Sequence, residues 1–144
     1  MKKKKKAEEL VVVEYSHDIR DYPKYNYSRA LAKGIKICKK YGIPISDCID
    51  DNVQFVKRND CYAYCERIRI GNIRGYKIYM TSLFYDQYKN DKEAMINIIL
   101  HELCHTIRRC FDHGKNWKEN VMKLNEYGFK INPYPYTTKQ TDLI

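Results

Sequence analysis

Nowhere in these 144 residues do 18 apolar residues follow one another. That absence excludes a hydrophobic helix that crosses a bilayer within them. Glycine and proline are sparse, at six and four, so neither a collagen-like nor a Gly/Pro-rich low-complexity chain fits. No segment recurs at a fixed period, which excludes a solenoid or propeller. The basic residues 2–6 resemble the start of a signal peptide, but Ala7-Glu8-Glu9 interrupts them and the apolar stretch at residues 10–13 is too short for its core. The chain therefore reads as cytoplasmic, with a single domain's worth of residues. A cytosolic location leaves its six cysteines reduced. None of them forms a CxxC pair, and three residues separate Cys61 from Cys65, which is not the spacing of a zinc knuckle. Cys38 and Cys104 read as small packing residues. The net charge is +9, but five of the nine belong to residues 2–6, leaving +4 for the rest. That remainder is ordinary for a small domain and makes no strong case for a nucleic-acid surface.

Histidine is also scarce, and its distribution carries information. Three of the four lie between positions 101 and 113. Two of them sit in His101-Glu102-Leu103-Cys104-His105. On a helix, positions i and i+4 share a face, so His101 and His105 can reach one metal ion. Glu102, at the edge of the same cleft, is positioned to accept a proton from water at that metal. The surroundings agree. Asp91 is an N-cap residue, Glu93 favours a first turn, and residues 92–109 contain no glycine or proline. Ile96, Ile99, Leu100, Leu103 and Ile107 form one apolar stripe, with both histidines pointing away from it towards a cleft.

A catalytic zinc takes three protein ligands and keeps one position open. His113 follows the short connection Cys110-Phe111-Asp112 and is one candidate if the chain turns back at residues 109–112. Glu126, about one helix downstream, is the competitor. Both cannot serve if a single helix joins them, because thirteen residues at 1.5 Å rise separate them by roughly 20 Å. His17 is remote and reads as a solvated side chain.

Taken together, His101-Glu102-Leu103-Cys104-His105, His113-Gly114-Lys115-Asn116-Trp117 and Asn125-Glu126-Tyr127-Gly128 resemble the SprT-like (Spartan-type) zinc metallopeptidases. That family's pattern is HExxH, a variable gap, HGxx with an aromatic residue, then an asparagine and a glycine near the end of the next helix. The stretch Cys61–Arg67 resembles the family's upstream strand, and the likeness spans about residues 28–132. It implies a zincin-like fold, with His101, His105 and His113 as zinc ligands and Glu102 as general base. It also implies one zinc ion per chain and a protein or peptide substrate. No cysteine-rich zinc ribbon follows the third motif within these residues.

The expected architecture is α+β, a small twisted sheet packed against the HExxH helix and flanking helices. A basic tail covers residues 1–9, the peptidase domain residues 10–132 and an irregular tail residues 133–144. Within the domain we expect a strand at 10–15 and a helix at 28–41, capped by Ser28 and closed by Gly42. Strands at 53–56, 62–70 and 75–81 follow, the last two joined as a hairpin across Gly71-Asn72. Then come the metal helix, reaching about Arg109, and a helix from about Gly114 to Gly128 with Trp117, Val121 and Leu124 buried. The strand at 75–81, nearest in sequence to the metal helix, is the expected edge for an extended substrate. Tyr127, Tyr134 and Tyr136 are candidates to stabilise an oxyanion. Two other functions compete with general proteolysis: a DNA-associated protease acting on DNA–protein crosslinks, and a non-catalytic metal-stabilised binding module. No membrane partner is expected.

Overall fold

The computed structural model describes residues 27–89 and 91–133. The expected strand at residues 10–15, both tails, His17, Tyr134 and Tyr136 lie outside them. Among the described residues the fold is α+β: four helices and a three-stranded mixed sheet. In chain order these are α1 (Tyr27–Lys40), β1 (Gln54–Val56), β2 (Ala63–Ile70), β3 (Ile73–Thr81), α2 (Ser82–Tyr88), α3 (Lys92–Cys104) and α4 (Lys115–Glu126). No helix among them is long and apolar enough to cross a membrane.

Strands β2 and β3 pair antiparallel from Ala63↔Met80 to Ile70↔Ile73. The two residues between them are Gly71 and Asn72, and Gly71 takes φ +65, the left-handed conformation that favours glycine in a tight hairpin. β1 pairs parallel to β3 on its other side, giving the order β1-β3-β2. This overturns the expectation that residues 75–81 form the substrate edge. Proximity in sequence to the metal helix does not make a strand an edge: β3 has neighbours on both sides, and among the described residues the unpaired edge beside α3 belongs to β2.

Alternation along the hairpin sets the core. Ala63, Ile78 and Met80 are buried on the face turned towards α3. Helix α3 touches α1, β2 and α4, so its whole C-terminal half is enclosed. Ile99, Leu100 and Leu103 are fully buried, each contributing about 1.5–3 kcal/mol by burial. Trp117, Val121 and Leu124 of α4 are buried as expected. Cys38 and Cys104 pack in the same core. All six cysteines are free, and burial pushes the Cys38 and Cys61 thiols up to about 12. Both are buried and pack as small hydrophobic groups.

Three local details differ from expectation. Ser28 lies inside α1, where its Oγ accepts from Val53 N at 2.9 Å and ties the helix to the approach of β1. Helix α2 is not among the expected elements, because no glycine or proline separates it from β3. Thr81 ends the strand and caps the helix at once: its Oγ1 accepts from Phe84 N and donates to Tyr62 O. The metal helix stops at Cys104 rather than near Arg109, where Thr106 Oγ1 donates to Leu103 O at 2.7 Å and the backbone tightens into successive turns.

Helices α1 and α3 pack closely at Gly34. A Cβ there would meet Ile99 Cγ2 and Leu103 Cδ1 at 3.0 Å each. Enlarging residue 34 forces α1 away from the metal helix, so Gly34→Leu should cost about 1–3 kcal/mol despite leucine's better helix propensity. A urea unfolding curve with an unchanged midpoint would contradict this packing.

Candidate metal centre

His101 occupies the last turn of α3 and His105 is its C-cap residue. After it the chain runs through tight turns to Arg109, whose φ of +66 is left-handed. The reversal expected at residues 109–112 is therefore present. Phe111 anchors the returning loop, lying under the Arg67 guanidinium at 4.0 Å and beside the Tyr76 ring of β3. Asp112 Oδ1 accepts from Gly114 N at 3.0 Å and starts the entry into α4. The result is that His113 Nε2 lies 3.2 Å from both His101 Nε2 and His105 Nε2. The ligand atoms of the three histidines all fall within 4.8 Å of one another.

Two of the three nitrogen pairs have a spacing that fits a tetrahedral metal ion. Zinc–nitrogen bonds near 2.0–2.1 Å, opened at a tetrahedral angle, separate the nitrogens by about 3.3–3.4 Å. The His113 pairs, at 3.2 Å each, lie near that separation, and the whole set falls within 4.8 Å. The tautomer also fits. His105 Nδ1 donates to Cys110 O at 3.0 Å, which leaves its Nε2 with a lone pair aimed at the cluster. His101 and His113 can present Nε2 lone pairs to the same point in their Nδ1–H tautomers.

Trp117 holds the group together from behind. Its ring lies 4.9 Å from His101, 5.4 Å from His105 and 4.6 Å from His113, and its Nε1 donates to His101 O at 3.3 Å. The sequence marks Trp117 as a buried helix residue. What it does not reveal is that one ring touches all three imidazoles. The HGxxW spacing, which sets the tryptophan one turn beyond His113, is the signal that could have found it.

The histidines are expected to face a cleft, and His101 lines one, set into the enclosure of α3. His101 and His105 are buried, and Glu102 is only 1% exposed. Glu102 Oε2 lies 3.8 Å from His101 Nε2, and Oε1 has no hydrogen-bond partner among the described residues. Burial pushes its carboxyl well above the ordinary carboxylate range. An unpartnered buried carboxylate oxygen is costly, and beside three imidazole nitrogens it fits a site completed by a cation and water. A cleft of about 290 Å³ opens onto His101 and Glu102, walled by α3, by Tyr62 and Ala63 at the start of β2, and by residues 130–132. That third wall is held by Asn125, whose side-chain amide donates to Ile131 O and accepts from Ile131 N, each at 2.8 Å.

The remaining candidates fall away from the cluster. Glu126 is exposed at the far end of α4, a single helix, and is absent from the metal-ligating group found among the described residues. Tyr127 is 52% exposed and stacks on Tyr41 at 3.9 Å instead of lining the cleft.

Comparison with known proteins agrees with this geometry. A family model described as the SprT-like family matches residues 49–139, a span that includes all three histidines and Glu102. No curated protein and no solved structure matches the chain.

Two outcomes follow from the centre. His113→Ala should lower zinc affinity by more than about 100-fold, beyond the range for an outer-shell partner, while Glu126→Ala leaves it unchanged in a competitive metal titration. The second concerns the metal-free protein. The Glu102 carboxyl titrates higher folded than unfolded, so between those two values the unfolded chain binds fewer protons and stability falls as pH rises. Glu102→Gln should therefore melt higher than wild type at pH 7 without metal, and the gap should close as pH falls below the ordinary carboxylate range. A lower melting temperature for the variant at pH 7 would contradict the buried, unpaired carboxylate.

Proposed function

This chain belongs to the SprT-like family, and from that membership we propose that it is a zinc-dependent metallopeptidase hydrolysing peptide bonds in protein substrates. The observation that carries the proposal is Glu102: a buried carboxylate with a free oxygen, adjoining three converged imidazoles at the head of a cleft. A purely structural zinc site closes with four protein ligands and has no use for a base beside them. His101, His105 and His113 are the proposed ligands. Zinc, when bound, supplies a Lewis acid that acidifies water and polarises a carbonyl.

The chain's own groups do the rest. Glu102 takes the proton from the attacking water and passes it to the leaving amine. Trp117 seals the rear of the imidazole cluster from solvent. Among the described residues β2 is paired on one side only, and its other edge, whose start lines the cleft, offers backbone groups to an extended polypeptide.

A second reading, a protease that works on proteins attached to DNA, has one specific observation in its favour. Arg67, Arg69 and Arg74 share the face of the hairpin that continues towards Phe111 and the His113 loop. Arg69 stands directly opposite Arg74, a like-charge cross-strand pair that a polyanion would relieve. Stimulation of proteolysis by DNA, declining as salt rises, distinguishes this reading from general proteolysis.

The test of the main proposal separates ligand from base. Purified protein should carry about one zinc per chain and lose proteolysis on chelation. Glu102→Gln should keep the metal and the fold yet lose about 10²–10⁴-fold in turnover. Undiminished turnover in that variant would remove Glu102 from the mechanism.

A further inference from the structure

Asn97 lies one helical turn before His101, on the same face of α3, and lines the same cleft. Its Oδ1 accepts from Lys130 N at 3.1 Å. A backbone N–H can only donate, so this bond fixes which end of the amide is oxygen and turns Nδ2 away from residue 130. Among the described residues no hydrogen bond engages Nδ2.

The other residues that α3 contributes to the cleft wall, together with its cap, are Asp91, Glu93, Ala94, Ile98, His101 and Glu102. The carboxylates accept and the aliphatic side chains do neither. Apart from the metal-site histidine, Asn97 therefore holds the donor on the helix side of the cleft. An extended polypeptide turns its carbonyls alternately to opposite sides. Carbonyls facing β2 meet its free edge, and those facing α3 need a donor there. One turn of helix advances about 5.4 Å, and one residue of extended chain about 3.3 Å. Asn97 therefore stands one to two residues along the substrate from a carbonyl at the imidazole cluster.

We propose that Asn97 anchors the substrate backbone through an Nδ2–H bond to a peptide carbonyl one or two residues from the scissile bond. This deepens the peptidase reading and rests on it. The bond is sequence-independent, so it favours unfolded or extended polypeptide as a class over any particular side chain. It is made in the bound substrate as well as in the transition state, so its loss raises KM and leaves kcat in place.

The test uses zinc-loaded full chain with fluorescein-labelled casein as the unfolded probe. Asn97→Asp keeps the acceptor for Lys130 N and removes the donor; Asn97→Ala removes both without adding charge. Binding is read by anisotropy in a Glu102→Gln background, and KM and kcat with Glu102 intact. Both variants should weaken binding and raise KM about three- to tenfold, the range for one neutral hydrogen bond, with kcat and zinc stoichiometry unchanged. Asn97→Asp should also keep the wild-type melting temperature. Wild-type binding in Asn97→Asp overturns the proposal, as does an effect confined to Asn97→Ala with a lowered melting temperature, because Asn97 then only holds residue 130. If wild type binds casein without cutting it, the hydrolytic reading fails while the binding data still decide the anchor. If wild type does not bind casein at all, the anchor fails too.

Discussion

Everything at the site depends on a chain reversal completed within eight residues of His105. A helix can present two imidazoles to one point, but it cannot supply the third from the same rod without leaving its own axis. Here α3 ends on His105, the backbone passes through left-handed Arg109, and Cys110 O accepts from His105 Nδ1. That one bond fixes the ring's tautomer and holds the loop that brings His113 back. Phe111, held between β2, β3 and His105, keeps the loop from swinging outward.

The centre is also enclosed by packing on three sides. Enclosure by α1, β2 and α4 surrounds Glu102 and two of the histidines with apolar groups. Low polarity strengthens any charge interaction made there and penalises any charge left alone. The same burial that raises the proton affinity of Glu102 thus makes the metal-free state electrostatically unfavourable.

Much of this was legible in the sequence, and the exceptions share a cause. Stripes with a clear period marked α1 and α4, and Gly71-Asn72 marked the hairpin, because local propensity and burial agree at those positions. His101, Glu102, His105 and His113 converge as the motif spacing requires. The strand order was not legible: parallel pairing of β1 with β3 is a long-range contact that leaves no local trace. Helix α2 was hidden because Thr81 acts as strand end and helix cap together. The length of α3 was overestimated because Thr106, which diverts a carbonyl, has no helix-breaking signature of its own. Burial of the histidines followed from packing on three sides, which a one-face reading of the helix cannot register.

Helix α4 joins two tasks that chemistry keeps separate. Near its start, Trp117 backs the imidazoles; near its end, Asn125 grips residue 131 and so holds the far wall of the cleft. About 12 Å of helix separates those duties. It behaves as a beam with a load at each end: a tilt that loosens the wall also shifts the ring behind the ligands. The cleft wall and the ring behind the imidazoles therefore share one support, and a displacement of α4 reaches both.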